Sequence, residues 1–137
     1  MSNPTLPTRL FDCISRGDLT GVDALLDPEF TSHGAAGQQL DATGLRAMIV
    51  TFRTGFPDLD VQALDVTAEG DRVAWRVDGV GTHDGEFMGV PATGRRVRFT
   101  GVDLAQVRDG RFLVHWSGED LAGVLIQIGA LPVPVPA

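Results

Sequence analysis

The sequence predicts an α+β domain in which N-terminal helices cover one face of a curved antiparallel sheet, and a short helix ends the fold. Two observations predict this arrangement. Apolar residues recur at helical spacing up to about residue 57 and at alternate positions from Leu59 onward. A sheet of this kind curls into a cone around its helices, and side chains from several strands converge at the open mouth. We expect a small-molecule pocket there.

The first two predicted helices are short and adjacent. The apolar stripe of the first comprises Leu6, Leu10, Phe11 and Ile14. Pro7 is compatible with this helix because the backbone N–H groups of a first turn have no helical partner. Residues 16–18, Arg-Gly-Asp, end it and cap the second helix, which carries Leu19, Val22, Leu25 and Leu26. Asp27-Pro28 is expected to end the second helix, ahead of a short strand over residues 30–33.

A third helix follows a glycine-rich loop. Its expected N-cap is Asp41 or Thr43, and Gly55 with Pro57 ends it. Its apolar stripe comprises Leu45, Met48, Ile49 and Phe52. Met48 and Phe52 either contact substrate in the pocket or fill the core, and core packing is the commoner role for such a stripe.

Four strands are predicted at residues 59–68, 72–83, 96–107 and 111–117. The turns at Glu69-Gly70-Asp71 and Asp109-Gly110 are short, so we expect neighbouring strands to be antiparallel. A last helical stripe consists of Leu121, Val124, Leu125 and Ile128. The proline-rich tail, about 131–137, cannot continue that helix. With 137 residues, the chain is predicted to form a single domain over residues 1–137.

Composition narrows the classes of partner. The net charge of −7 argues against nucleic acid and anionic membrane, because phosphate binding requires a basic patch. The basic run at 95–98 is typical of a solvated strand edge. The three histidines lack the spacing of a metal site, and no glycine-rich phosphate loop precedes a helix, so neither a metal nor another cofactor is expected.

The expected compartment is the cytoplasm. A single cysteine, Cys13, excludes an internal disulfide and suits a reducing environment. Residues 1–10 lack the pattern of a secretory leader, and no stretch approaches the ~20 apolar residues of a membrane span.

Several segments carry a family resemblance: residues 81–95 (GTHDGEFMGVPATGR), Val107-Arg108-Asp109-Gly110-Arg111, His115-Trp116 and Gln127-Ile128-Gly129. Together with Phe56-Pro57-Asp58-Leu59, they resemble the SnoaL-like polyketide cyclase family over about residues 11–131. The resemblance implies a cone-shaped nuclear-transport-factor-2-like fold that is usually dimeric. Members include ester cyclases that close a ring by intramolecular aldol condensation, hydroxylases and other cyclases, and the more distant limonene-epoxide hydrolases.

The resemblance leaves three functional hypotheses, because fold alone does not determine chemistry. The first is a cofactor-independent cyclase or isomerase that acts on an apolar, polyketide-like small molecule in secondary metabolism. The second is a tailoring enzyme resembling epoxide hydrolases or hydroxylases. The third is a small-molecule binder without catalysis. A homodimer is implied in each case.

A two-residue turn at Asp109-Gly110 predicts which side chains share the pocket face. The predicted cross-strand pairs on that face are Leu104 with His115, Gln106 with Leu113, and Val102 with Ser117. His115 is thus a catalytic candidate, and Leu104, Gln106 and Ser117 are candidates for substrate contact. Asp103 and Trp116 would pair on the opposite face.

Ser117 marks a departure from the family pattern. The resemblance implies an acid/base aspartate two residues after the histidine, and in this chain that position holds Ser117. A serine without a base cannot take a proton from a carbon acid near neutral pH.

Other polar residues are candidates to supply the missing charge. Two of them, Arg76 and Asp78, have the Arg-x-Asp spacing of the epoxide hydrolases. In that arrangement Asp78 would be a catalytic carboxylate and Arg76 would bind substrate. Such a pair is about as often an ordinary cross-strand ion pair on a solvated face. His33 either transfers protons in the pocket or is an ordinary loop residue. Asp120 is expected mainly to cap the final helix.

The remaining aromatic and histidine residues are assigned to structure. His83 has the opposite parity to Arg76 and Asp78, so we expect it to order the loop over residues 84–93. Trp75, Phe99 and Trp116 are expected in the core or in a dimer interface, because aromatic residues at alternating spacing usually pack.

Overall fold

The computed structural model describes residues 3–34 and 36–133. A short 3-10 turn at Asn3–Thr5 precedes the regular elements. The helices are α1 (Leu6–Arg16), α2 (Leu19–Ala24), α3 (Ala42–Gly55) and α4 (Leu121–Gln127). The strands are β1 (Leu26–His33), β2 (Gln39–Leu40), β3 (Asp60–Glu69), β4 (Arg72–Thr82), β5 (Arg96–Arg108) and β6 (Arg111–Trp116). Residues 134–137 of the predicted proline-rich tail lie outside the described residues.

The strands form one curved, unclosed sheet in the order β2-β1-β6-β5-β4-β3. The four long strands β3 to β6 are antiparallel neighbours, as predicted, and their bounds lie within two residues of the predicted ones. β1 extends the sheet by pairing parallel to β6, and β2 pairs antiparallel to β1. The α+β fold with N-terminal helices and a short C-terminal helix is confirmed.

The core lies between the helices and the concave face of the sheet. Trp75 of β4 is 1% exposed and stands near its centre, with its ring 6.1 Å from Phe11 of α1 and 6.0 Å from Phe112 of β6. Side chains on β4 alternate between this core and the outer face, as the period of two predicts. The sequence predicts Trp75 in the core or in a dimer interface, and the structure places it in the core.

Three helices begin with the same hydrogen bond. The carboxylates of Asp18, Asp41 and Asp120 each accept the backbone N–H three residues later, at the first turns of α2, α3 and α4. Such a bond satisfies one of the N–H groups that a first helical turn leaves without a partner. The predicted caps of α2 and α4 are confirmed, and Asp41 rather than Thr43 caps α3.

The predicted ordering role of His83 is also confirmed. Its backbone N–H donates to Arg95, and its backbone oxygen accepts from the N–H groups of Thr93 and Gly94. Its side-chain Nδ1 lies 2.8 Å from the hydroxyl of Thr93. These bonds close the loop between β4 and β5.

The first strand is longer than predicted. The sequence predicts a strand over residues 30–33, whereas β1 begins at Leu26 and includes Pro28. Pro28 fits because the pairing with β6 is irregular between Leu26 and Thr31, where no ladder bond requires its missing N–H. Asp27 anchors this part of the strand by accepting two hydrogen bonds from Arg108, at 3.1 and 2.8 Å.

The pairing between β5 and β6 differs from the predicted register. Arg108 pairs with Arg111 across the predicted two-residue turn, but Val107 pairs with Phe112 and Gln106 with Val114. Leu113 is therefore an extra residue, a β-bulge, and it reverses the side-chain alternation beyond it. Ala105 pairs with His115, and Leu104 with Trp116. The predicted pairs Leu104–His115, Gln106–Leu113 and Val102–Ser117 are wrong for this reason.

We predict that Asp27→Asn lowers the urea midpoint of unfolding at pH 7, because it weakens the contact that ties β1 to Arg108. The hydrogen bond from Arg108 and that from the Glu29 backbone hold the pKa of Asp27 below its ordinary 3.8. The stabilisation is therefore present at neutral pH and is lost as the pH falls through the folded-state pKa. Urea titrations of wild type and variant should converge at low pH. The exposed residue Asp12 supplies the control, Asp12→Asn, and equal midpoints at pH 7 would contradict the anchoring role of Asp27.

Candidate active site

A cavity of about 150 Å³ lies between the concave face of the sheet and helices α1, α3 and α4. Most of its wall is apolar, with Leu10, Phe11 and Ile14 from α1 and Leu45, Met48 and Phe52 from α3. Met48 and Phe52 therefore line the cavity, and contact with a substrate there stays a prediction. Phe99 of β5 also lines the cavity and packs against Phe52 and Phe56.

A buried acid–imidazole pair lies at the polar end of this cavity. Asp103 and His115 are 1% and 7% exposed, and the Asp103 carboxylate is 3.0 Å from His115 Nε2. The second Asp103 oxygen accepts the backbone N–H of Gly118 at 2.9 Å. Trp75 stacks on the imidazole, with ring centroids 5.7 Å apart and planes 9° from parallel. Both the position and the tilt of the ring are thereby fixed.

The pair changes the protonation of His115. Burial alone would lower the pKa of the imidazole, but the hydrogen bond and the charge of Asp103 outweigh burial and raise that pKa above its ordinary value. A carboxylate beside a buried imidazole favours the imidazolium. His115 therefore keeps its positive charge to a higher pH than a solvated histidine does.

A second carboxyl group, that of Glu119, faces the same end of the cavity. Burial and the negative charge of Asp103 raise its pKa to about 7, while His115 and a hydrogen bond from Ser117 act in the opposite direction. The Ser117 hydroxyl donates to the Glu119 carboxylate. A carboxyl group with such a pKa exchanges protons readily near neutral pH.

Close backbone packing fixes the segment that carries Glu119. Gly101 of β5 bridges to Glu119, and a side chain at residue 101 would come within 2.5 Å of the Glu119 Cα. A side chain at Gly118 would overlap the backbone oxygen of Val102. Glycine at these two positions lets residues 117–119 lie directly on β5, which brings Glu119 beside the Asp103–His115 pair.

Further polar side chains contribute to the wall of the cavity. Ser32 of β1 is 2% exposed, and its hydroxyl is 3.1 Å from His115 Nδ1. Gln38 lines the cavity with a buried side-chain oxygen that has no partner within the described residues. Asp120, exposed at the rim, caps α4 and also lines the cavity.

The structure brings together only some of the predicted site residues. His115, Ser117, Met48 and Phe52 line the cavity. Because of the bulge at Leu113, His115 shares its face with Ala105 and not with Leu104. Leu104 and Gln106 lie on the outer face, where Leu104 is 39% exposed and Gln106 donates to Asp71. Their placement in the pocket is corrected accordingly. His33 is also on the outer face and stacks on Trp116, with ring centroids 6.0 Å apart.

The predicted pairing of Arg76 with Asp78 is not found. Arg76 forms an exposed ion pair with Asp65 at 2.9 Å, and Asp78 pairs with Arg98 at 3.0 Å. Both residues point away from the core because they alternate with buried Val77 on β4. Neither lines the cavity, so the framework expected for epoxide chemistry is absent from it.

Sequence reasoning missed Asp103, Glu119 and Ser32 as site residues. The predicted register assigned Asp103 to the outer face, and the residues singled out after β6 were Ser117 and Asp120. One signal for Asp103 was available: an aspartate between apolar residues in a long strand requires a buried partner if it faces inward. Ser32 carried no such signal, because a serine beside a histidine in a short strand is ordinary.

Within residues 3–34 and 36–133, no three histidine, cysteine or carboxylate side chains are grouped so that they could hold a metal ion. No helix in these ranges is long and apolar enough to cross a membrane.

Comparison with known proteins gives consistent matches. The family described as SnoaL-like polyketide cyclase matches residues 5–128. The aklanonic acid methyl ester cyclase DnrD of Streptomyces peucetius is 24% identical over 135 residues, which are 96% of this chain and 92% of that protein. IdmH, a proposed polyketide cyclase from Streptomyces antibioticus, is 33% identical with a TM-score of 0.81, covering 93% of this chain and 99% of that chain. AclR, a proposed hydroxylase from Streptomyces galilaeus, is 30% identical with a TM-score of 0.84, covering 96% and 87%.

We predict that Glu119→Gln becomes more stable relative to wild type as the pH rises from 4.5 to about 7. The folded-state pKa of Glu119 is raised from 4.5 to about 7. Over this window the folded protein retains a proton that the unfolded chain releases, so wild-type stability falls. The variant lacks this pH dependence, so its advantage in free energy of unfolding should grow by about 3 to 4 kcal/mol at most, at roughly 1.4 kcal/mol per pKa unit.

Urea unfolding at several pH values measures the difference. The exposed residue Glu69 provides the control, and Glu69→Gln should show no comparable trend. A constant difference between Glu119→Gln and wild type over the window would mean that the Glu119 carboxyl titrates as an ordinary one.

Proposed function

The chain belongs to the SnoaL-like polyketide cyclase family, and from that premise we propose that it closes a ring in a polyketide-like polycarbonyl substrate during secondary metabolism. The proposed reaction is an intramolecular aldol condensation that needs no cofactor. One observation supports it above all: an apolar cavity holds, at its polar end, a carboxyl group whose pKa is about 7. Two relatives that match 96% of the chain are aklanonic acid methyl ester cyclases, so we take a polyketide methyl ester as the substrate class.

In the proposed mechanism Glu119 is the general base. Its ionised carboxylate removes a proton from a carbon that is activated by neighbouring carbonyl groups, and the electron pair of that C–H bond forms an enolate. The enolate carbon then attacks a second carbonyl carbon of the same molecule, which closes the ring and leaves an alkoxide. Glu119, now protonated, returns the proton to the alkoxide oxygen, so the atoms balance and the carboxylate is regenerated.

Ser117 and the apolar wall have supporting roles in this mechanism. The Ser117 hydroxyl donates to Glu119 and holds one carboxylate oxygen in place. The side chains of α1 and α3 confine the substrate in a folded conformation that brings the two reacting carbons together. Such confinement lowers a barrier by several kcal/mol when the reacting groups are aligned.

The epoxide-hydrolase alternative loses its residues, because Arg76 and Asp78 do not face the cavity. A binder without catalysis does not require a carboxyl group poised near neutral pH. Burying such a group costs stability, and strongly perturbed pKa values cluster at functional sites. We therefore favour the cyclase over both alternatives.

We predict that Glu119→Gln lowers kcat for ring closure of aklanonic acid methyl ester by about 10²–10⁴-fold, the usual contribution of a general acid–base group. Product formation is followed by liquid chromatography and mass spectrometry. For wild type, kcat/KM should rise with pH through about 7, as Glu119 loses its proton. Glu69→Gln, which changes an exposed glutamate outside the site, is the matched control.

Asp120 provides a further comparison because it is the other carboxylate between Ser117 and α4. Asp120→Asn retains a residue type that caps helices well, so we expect it to keep most of the activity. If Asp120→Asn abolished ring closure while Glu119→Gln did not, the assignment of the base would be wrong.

We further propose that the protein is a homodimer that pairs through the outer face of the sheet. Val102 and Leu104 of β5 are 64% and 39% exposed on this face. Leu104 pairs with Trp116, whose ring is covered by His33 on one side and lies 5.5 Å from the guanidinium of Arg72. Two large exposed apolar residues in the middle of a sheet are typical of a surface that a second copy covers.

We predict that Val102→Asp converts the dimer to a monomer, because it would bury an unpaired charge at the interface. Sedimentation velocity measures the mass of each species. Val50→Asp is the control, since Val50 is 48% exposed on α3, away from the outer sheet face. A dimer that survives Val102→Asp but dissociates on Val50→Asp would place the interface on the helical side.

A further inference from the structure

His115 has no ring nitrogen free for a substrate. Its Nε2 is 3.0 Å from Asp103, and its Nδ1 is 3.1 Å from the Ser32 hydroxyl. Trp75 covers one face of the ring. The histidine therefore acts through its neighbours, and the polar atom that it presents toward the cavity is Ser32 Oγ.

Ser32 is placed by the parallel pairing of β1 with β6. The backbone of Ser32 pairs with that of His115, so both side chains project to the concave face from adjacent strands. Ser32 is 2% exposed and lines the cavity. A buried hydroxyl in this position is held by the protein before any ligand arrives.

The proton on His115 determines which way the Ser32 hydroxyl points. Both Asp103 oxygens accept hydrogen bonds, one from Gly118 N–H and one from His115, so Nε2 carries a proton in either charge state. When the ring is neutral, Nδ1 has a lone pair and the Ser32 O–H donates to it. When the ring is charged, Nδ1–H donates to Ser32 Oγ, and the serine hydrogen is free to turn toward the cavity.

We propose that Ser32 is the hydrogen-bond donor to the oxyanion that forms on the substrate carbonyl during ring closure, and that His115 and Asp103 are its positioning residues. This inference rests on the proposed cyclase function and adds the group that stabilises the enolate oxygen. The raised pKa of His115 supports it, because the imidazolium is the form that frees the serine hydrogen. A donor held in place before the reaction stabilises developing charge without reorganisation.

The charges around the site are compatible with this role. The ionisable groups that line or contact this end of the cavity are Asp103, His115, Glu119 and Asp120, and the named cavity residues of α1 and α3 are apolar. The Asp103 carboxylate is paired with the His115 imidazole. When the enolate forms, Glu119 carries the abstracted proton and loses its negative charge. The enolate gains one negative charge, so the net charge of the site does not change. Ser32 then supplies the donor that the enolate oxygen needs.

Kinetics tests the role within the reaction. Ser32→Ala should lower kcat for ring closure by about 10²–10³-fold, the usual cost of removing one oxyanion donor, and leave KM within a few-fold. Ser32→Thr keeps the hydroxyl and should restore most of kcat. A merely structural serine would not give this split between kcat and KM, and a Ser32→Ala enzyme with wild-type kcat would overturn the proposal.

A binding experiment tests the donor independently of ring closure. The probe is 4-nitrophenol, whose ionised form absorbs visible light, and an apolar cavity of about 150 Å³ accepts one benzene-sized ring. The measurement uses the Glu119→Gln background, so that the proposed base is absent and no carboxylate at that position repels the phenolate. We expect the bound phenol to ionise at lower pH than the free phenol, and we expect Ser32→Ala to reduce this preference by about tenfold or more.

The outcomes separate the two proposals. If phenolate is bound preferentially through Ser32 but wild type closes no ring, the oxyanion site is supported and the proposed cyclase function is wrong. If wild type closes the ring but Ser32→Ala leaves phenolate binding unchanged, the cyclase function is supported and the role of Ser32 as oxyanion donor is wrong. Ser32→Cys, which is similar in size but a weaker donor, gives an intermediate preference if the proposal is right and serves as the second variant if Ser32→Ala does not fold.

Discussion

The hydrogen bond between Asp103 and His115 is the interaction on which the site depends. A carboxylate that is 1% exposed is costly unless it is paired and its oxygens are satisfied. Here one oxygen accepts from the imidazole, and the other accepts from the backbone of Gly118. The same aspartate therefore fixes the ring and the start of the segment that carries Glu119. Through the other ring nitrogen, the bond extends to Ser32 and ties β1, β5 and β6 together at the polar end of the cavity.

The same interaction separates the chemical roles of the two carboxyl groups. Asp103 lies 3.0 Å from the His115 imidazole and has an electrostatic role. Burial of Glu119 and, after it, the negative charge of Asp103 raise the pKa of the Glu119 carboxyl to about 7. Carboxyl groups in neighbouring but different environments acquire different tasks, one electrostatic and one in proton transfer. In this account, Ser117 accordingly orients the base, and the carboxyl group comes from Glu119, two residues further along the chain.

The sequence predicted the secondary structure of the scaffold more accurately than it predicted the residues of the site. Alternation of apolar residues and the short turns predicted the four long strands within two residues, and aspartates before helical stripes predicted the caps. Periodicity does not reveal an inserted residue, however, and the bulge at Leu113 exchanged the faces of every position beyond it. Asp103 and His115 thus share a face of the sheet, whereas the predicted register without a bulge placed them on opposite faces. Likewise, the parallel pairing of β1 with β6 turns Ser32 inward and His33 outward, and this long-range pairing has no local signal.

The central claim is that Glu119 removes a proton from a carbon acid held in the apolar cavity. Its most direct measurement is hydrogen–deuterium exchange at the activated carbon of a simple β-keto ester. Such an ester can form an enolate but has no further carbonyl group that the enolate carbon could attack to close a ring. In deuterated buffer near neutral pH, the wild-type protein is predicted to catalyse exchange, detected by NMR, and Glu119→Gln is predicted to lose nearly all of this catalysis. Equal exchange rates with both proteins would contradict the account.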